Sequence, residues 1–227
     1  RGASGVVLGA NDAIERAAHA TSVRRRRDAT QASLIAARSS GLFNKVDTQN
    51  WKTVCDVVYA PKHELGGDFI ELFQTSQGQK FAVYGDISGH DIQSALLSSH
   101  FMGFLHGRRS AERNLRLGAL AGEYNQLLIR RREAASDRQN IAMGISLSFC
   151  GIELFEDEGK VTITNCGVPP IYVIHKDGSV TRVRPRNHPL GWFEDMELAG
   201  ESLETANVSR IHGYTDGLVE FAMQHKW

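Results

Sequence analysis

Between positions 69 and 85 the apolar residues fall in two short runs separated by a polar turn: Phe69, Ile70, Leu72 and Phe73, then Phe81, Val83 and Tyr84. With Ser76-Gln77-Gly78-Gln79 between them, the runs predict a β-hairpin whose strands cover 69–74 and 80–85. The second strand is expected to end on Gly85 and to deliver Asp86 at its tip. An earlier run, 52–59, predicts a strand that Ala60-Pro61-Lys62 breaks. Asp91 is suited to cap a helix, and Ile92, Ala95, Leu96, Met102 and Leu105 beyond it recur at helical spacing, predicting a helix over 91–106. Leu115, Leu117, Leu120, Tyr124, Leu127 and Leu128 predict a second helix over 112–133. That helix closes on Arg130-Arg131-Arg132, whose charge suits the negative end of a helix dipole, and 134–140 reads as a polar loop. Over 144–154, Ile145, Leu147 and Phe149 alternate with Ser146, Ser148 and Cys150, the pattern of a strand with one buried face. Further strands are expected over 160–165, 171–175 and 180–184, the last two joined by Lys176-Asp177-Gly178-Ser179. An irregular loop follows over 185–192, and a final strand over 209–214 places Asp216 at a strand end. This order of strands, two helices and strands predicts an α+β fold with largely antiparallel sheets.

The first fifty residues follow a different pattern. Residues 1–10 are small and Gly-rich, a linker, whereas 11–38 is rich in Ala and Arg and holds neither Pro nor Gly, so a helix is expected there. Its apolar face is thin (Ile14, Ala17, Ala18, Val23, Leu34, Ile35) and needs a partner, which suits a helix that couples an upstream sensor to the domain or dimerises. The expected division is thus a linker and coupling helix over 1–50 and one domain over 51–227. Arg24-Arg25-Arg26-Arg27 reads as a solvated helix face, because four adjacent helical residues point in different directions; a phosphate or nucleic-acid contact is the other reading. The chain starts at Arg1 and stops at His225-Lys226-Trp227, as a fragment of a longer protein would.

Composition narrows the classes. A hydrophobic fraction of 41% and a charged fraction of 23% over 227 residues describe an ordinary globular chain with material for one substantial core. Lys+Arg and Asp+Glu are both 26, so no global field favours nucleic acid or an anionic membrane. A nucleic-acid binder built on the arginine runs is the least supported reading. Neither a signal peptide nor a membrane-spanning apolar run is present. Cys55, Cys150 and Cys166 are odd in number, have no C-x-x-C spacing and lie in apolar segments, which predicts reduced, buried thiols in a cytoplasmic protein.

The candidate chemistry lies in three aspartates beside glycines: Gly66-Gly67-Asp68-Phe69, Gly85-Asp86-Ile87-Ser88-Gly89-His90-Asp91 and Thr215-Asp216-Gly217. The predicted hairpin sets Asp68, before one strand, beside Asp86, at the end of its antiparallel neighbour. Carboxylates without a competing nitrogen or sulfur cluster favour Mg²⁺ or Mn²⁺ over Zn²⁺. Two such ions about 3.5–4 Å apart generate a hydroxide and neutralise phosphoryl oxygens, which points to phosphate ester hydrolysis. A plain turn is the other reading of any single Asp-Gly pair.

Taken in order, Gly66-Gly67-Asp68-Phe69, Gly85-Asp86-Ile87-Ser88-Gly89-His90 with Ala95-Leu96-Leu97 beyond it, Asn165-Cys166-Gly167-Val168-Pro169-Pro170, Pro189-Leu190-Gly191 and Tyr214-Thr215-Asp216-Gly217-Leu218-Val219-Glu220 resemble bacterial SpoIIE-type serine phosphatases. These are metal-dependent protein phosphatases of the protein phosphatase 2C superfamily, and the resemblance covers roughly residues 54–221. It implies two antiparallel β-sheets sandwiched between helices, with two Mg²⁺ or Mn²⁺ ions at one end. Asp86 would bridge both ions, Asp68 would bind one and Asp216 the other, the backbone carbonyl of Ile87 would also ligate, and a metal-bridging water would be the nucleophile. The implied substrate is a phosphoserine or phosphothreonine on an anti-sigma-factor antagonist-like partner, with a sensor or receiver domain upstream and no nucleic acid or membrane insertion. Three departures stand out. The final strand with a fourth metal-binding aspartate that the family carries past the third is not reached before Trp227; Asp91 replaces a small residue; Val168 replaces a histidine. His90 carries two open readings, orienting water or phosphate at the metals, or a hydrogen-bonded structural residue at the helix start. His212 reads as packed or at the surface. Arg182, Arg184 and Arg186 read as lining an exposed hairpin, with a substrate-facing role as the other reading. The expected activity is that of a protein serine/threonine phosphatase; the alternative is a phosphatase-like module that has lost catalysis and acts by binding a partner.

Overall fold

The computed structural model describes residues 57, 67–75, 77–88, 92–111, 114–136, 146–196 and 198–224. The coupling helix, the boundary near residue 50, the 52–59 strand apart from Val57, and His90 lie outside them. The described elements run β1 (Phe69–Gln74), β2 (Lys80–Ile87), α1 (Ile92–Ala111), α2 (Leu117–Ser136), β3 (Leu147–Phe155), β4 (Lys160–Cys166), β5 (Ile171–His175), β6 (Val180–Val183), β7 (Glu201–Glu204), a short 3₁₀ turn, β8 (Val208–His212) and α3 (Asp216–Gln224). They form a five-stranded sheet in the order β1-β2-β3-β4-β7 and a three-stranded sheet in the order β6-β5-β8. Every pairing within the two sheets is antiparallel, so the α+β expectation holds.

The strand period of two sorts the side chains into two cores. Phe81, Val83 and Ile87 of β2, with Leu147 and Phe149 of β3, pack against Phe101 and Leu105 of α1 and Leu117, Leu120 and Tyr124 of α2. Phe101 meets Tyr124 and Phe149 edge-on, at centroid distances of 4.8 and 5.7 Å. The opposite face of the large sheet, through Tyr84, Cys150, Val161 and Ile163, meets Ile171, Val173 and Val183 of the small one. Each fully buried side chain of this size contributes about 1.5–3 kcal/mol. Cys150 and Cys166 are both free and buried, and burial raises both thiol pKa values. They are packing residues.

Several element boundaries differ from the pattern-based ones. β2 continues past Gly85, because β3 supplies partners for Asp86 (Ser148) and Ile87 (Leu147); Asp86 therefore stands within a ladder and not at a strand tip. Helix α1 runs on to Ala111. Helix α2 starts at Leu117 because the buried Glu153 carboxylate accepts the Leu117 N–H at 2.6 Å, fixing the first turn. It ends at Ser136, so Arg130-Arg131-Arg132 does not form its last turn. Instead Arg131 donates to His100 Nε2 at 3.0 Å, which leaves Nδ1–H to donate to Tyr124 Oη at 2.9 Å. Strand β8 stops at His212: continuing its pairing with β5 would bring it opposite Pro170 and Pro169, which have no N–H to offer a ladder. Asp216, expected at a strand end, is thus the first residue of α3.

Candidate active site

The pairing of Phe69 with Gly85 at the end of the β1–β2 ladder sets Asp68 opposite Asp86, one position further along. Asp86 shares the face of Tyr84, toward the space between the sheets. There it lines a cavity of about 590 Å³ together with Asp216, Thr215 and Ser148. One wall is the Gly167-Val168-Pro169-Pro170 turn; another is formed by Arg182, Arg184 and Pro185. Asn165 holds the turn in place, accepting the Val168 N–H at 3.2 Å and donating to the Pro169 carbonyl at 3.4 Å.

Burial and crowding of negative charge set the electrostatics. The Asp86 carboxyl is pushed up to about 7, first by burial and then by Asp68, Asp216 and Glu220, against a backbone hydrogen bond from Ile87. Three further carboxylates therefore act on Asp86: Asp68 of the hairpin, and Asp216 and Glu220, which lie one helical turn apart on α3. Glu220 has no role in the sequence reading. Its signal is the i, i+4 spacing from Asp216, visible only once a helix is known to begin there.

Two close approaches fix this arrangement. A Cβ on Gly67 would stand 2.2 Å from the Ile87 carbonyl oxygen and 2.9 Å from Asp86 Oδ1, so both oxygens face the same glycine backbone. A Cβ on Gly213 would stand 2.2 Å from Tyr84 Oη. Tyr84 of β2 thereby seats the Gly213–Asp216 turn next to Asp86, two residues along its own strand.

The donor set suits a hard divalent cation: Asp68, Asp86, Asp216 and the Ile87 carbonyl offer only oxygen, and the mutual repulsion of the carboxylates is what such an ion relieves. Among the described residues, no three His, Cys, Asp or Glu side chains enclose a cation by themselves. Mg²⁺ is usually held by one or two carboxylates and several waters.

Other candidates separate clearly. His90 lies outside the described residues. His212 is exposed, and Val168, where a histidine is expected, is 1% exposed in the inter-sheet core. Arg186 pairs with Glu201 at 3.3 Å. Arg182 and Arg184 are exposed on the β5–β6 hairpin, as expected, and they also line the cavity that holds Asp86 and Asp216.

Comparison with known proteins follows the same lines. Residues 76–227 match the family model described as Stage II sporulation protein E (SpoIIE). Phosphoserine phosphatase RsbP of Bacillus subtilis (strain 168) is 24% identical over 165 residues, 73% of this chain and 39% of that protein. The SiaA-PP2C domain of Pseudomonas aeruginosa superposes with a TM-score of 0.61 at 16% identity, over 90% of this chain and 82% of that one. The RsbU and RsbW domains of Rv1364c from Mycobacterium tuberculosis superpose at 0.52 with 23% identity, over 71% of this chain and 42% of that one. The two structural likenesses establish the fold, and the chain spans well under half the length of the curated relative.

Proposed function

The chain belongs to the Stage II sporulation protein E (SpoIIE) family, and from that premise we propose that it is a metal-dependent protein serine/threonine phosphatase domain, the output module of a bacterial signalling protein. One observation carries the reading: the hairpin register that sets Asp68 opposite Asp86, with Asp216 near enough for its charge to oppose ionisation of Asp86. Asp68, Asp86, the Ile87 carbonyl and Asp216 would hold two Mg²⁺ or Mn²⁺ ions. Bound ions of this kind neutralise phosphoryl oxygens and supply a nucleophile that is active at neutral pH. The chain's own part is to set the Asp86 and Asp216 carboxylates on one cavity, with Val168, Pro169 and Pro170 as its apolar edge.

The substrate is a phosphoserine or phosphothreonine on an anti-sigma-factor antagonist-like protein, and ions held by Asp68, Asp86, the Ile87 carbonyl and Asp216 would supply the water nucleophile. The name of the curated relative, a phosphoserine phosphatase, supports the phosphoseryl part of this reading. The regulatory input enters through residues 1–50 from an upstream sensor or receiver domain, with dimerisation through the same segment. The domain works in the cytoplasm; among the described residues, no helix is long and apolar enough to cross a membrane.

The direct experiment follows phosphate release from a phosphoserine protein or peptide with Mg²⁺ or Mn²⁺ and again after chelation. Release that requires the metal is the expected result. Release unchanged by chelation, or none under any metal, would overturn the proposal.

A further inference from the structure

We infer that Arg182 and Arg184 form the anion-binding wall of the active-site cavity and hold the phosphoryl group of the substrate; this deepens the phosphatase reading and rests on it. Alternation along β6 puts Val183, which is 2% exposed and pairs with Ile171, toward the inter-sheet core. Arg182 and Arg184 consequently share the other face of β6, the edge strand of the small sheet, and from that edge both line the cavity that holds Asp86 and Asp216. Arg182 pairs across the strand with Tyr172, whose ring stacks on Tyr214 at 6.3 Å and 9°, two residues before Asp216. Arg184 precedes Pro185, and a residue before proline is confined to extended backbone, so the strand direction persists and Arg184 stays on the face of Arg182.

Charge supplies the second line of argument. The lining of the cavity includes the acidic Asp86 and Asp216 and the basic Arg182 and Arg184. A phosphomonoester dianion that enters is repelled by the carboxylates, and fixed cations in the same lining offset that repulsion. Arginine presents a planar fork that matches phosphate in a two-point contact, which a lysine cannot do. The three arginines of this segment are not equivalent. Arg186 is tied to Glu201 at 3.3 Å, whereas neither Arg182 nor Arg184 makes an ion pair among the described residues. Both are exposed, so their truncation leaves the two cores intact.

The test measures binding to the full chain of a phosphoserine peptide with uncharged flanking residues, and of its unphosphorylated twin. The wild type, Arg182→Ala, Arg184→Ala, the lysine variants and Arg186→Ala are compared, with circular dichroism confirming a common fold. The wild type is expected to prefer the phosphorylated peptide, and each alanine variant at the wall to lose about tenfold in its affinity, the size of a charge-assisted hydrogen bond. Lysine restores part of that loss, and Arg186→Ala matches the wild type. In turnover of the same peptide the loss shows as a raised KM. Unchanged affinity in both alanine variants, or equal wild-type binding of the two peptides, overturns the inference. Arginine-dependent binding without phosphate release would sink the phosphatase reading and leave the anion wall standing; release that is indifferent to both arginines would do the reverse.

Discussion

Gly67 packs so closely against Ile87 that a Cβ on the glycine would stand 2.2 Å from the Ile87 carbonyl oxygen. The contact ties the segment before β1 to the far end of β2, where Asp86 and a backbone carbonyl meet. A side chain at position 67 cannot be accommodated by a rotamer change, because the obstacle is backbone.

Gly67→Ala should therefore cost about 1–3 kcal/mol of stability, the usual cost of overpacking, and should displace Asp86 and the Ile87 carbonyl together. The expected outcome is a lowered denaturation midpoint with phosphate release reduced much further than stability alone accounts for, measured at a temperature where the variant is fully folded. Normal turnover by folded Gly67→Ala would separate this contact from the site.

Asn125 is 1% exposed and straps the Pro189-Leu190-Gly191 loop to α2. Its Oδ1 accepts the Gly191 N–H at 2.7 Å and its Nδ2 donates to the Phe193 carbonyl at 2.8 Å. Asn125→Ala leaves the buried Gly191 N–H unsatisfied, at about 1–3 kcal/mol, and releases the Phe193 carbonyl. Denaturant titration should show the loss, and the emission of the half-exposed Trp192 should shift as the loop comes free. A midpoint within about 0.5 kcal/mol of the wild type would contradict it.

Glu71 on β1 is buried, and burial pushes its carboxyl up to about 7 against the pull of Arg109. Its Oε1 lies 3.3 Å from His106 Nε2, a histidine whose pKa is lowered, by burial and then by Arg109. The folded state binds the Glu71 proton more tightly than the unfolded chain does, so this group's contribution is fully present below pH 4.5 and is lost as pH rises toward about 7. His106 contributes with the opposite slope, since its folded form resists protonation. Unfolding free energies of the wild type and Glu71→Gln across pH 4–8 isolate the carboxyl: the difference should change by up to about 3 kcal/mol over that window, at about 1.4 kcal/mol per pKa unit. Parallel pH profiles would contradict the assignment.

The legible parts of the fold were those in which local pattern and long-range partner agree. Strands β1 and β5 follow period-two patterning bounded by turn residues and form where expected, and β2 starts where expected and runs two residues further. Strand β7 was hidden because Leu203 is the one apolar residue in Glu-Ser-Leu-Glu; it exists as an edge paired to β4. The end of β8 depends on the two prolines that precede β5, which no local window of β8 contains. At the site, Asp68, Asp86 and Asp216 were legible from their glycine neighbours. Glu220 required knowing that α3 begins at Asp216, and the cavity role of Arg182 and Arg184 required the packing of the small sheet on the large one, which positions β6 beside Asp86.

The central claim is that Asp86 is the pivot of a phosphate-hydrolysing metal site. Its most direct test is phosphate release from a phosphoserine substrate by Asp86→Ala beside the wild type, at saturating Mg²⁺ or Mn²⁺, with the variant's fold verified. The account predicts that release falls to background in the variant while the wild type turns over; release by folded Asp86→Ala at the wild-type rate would contradict it.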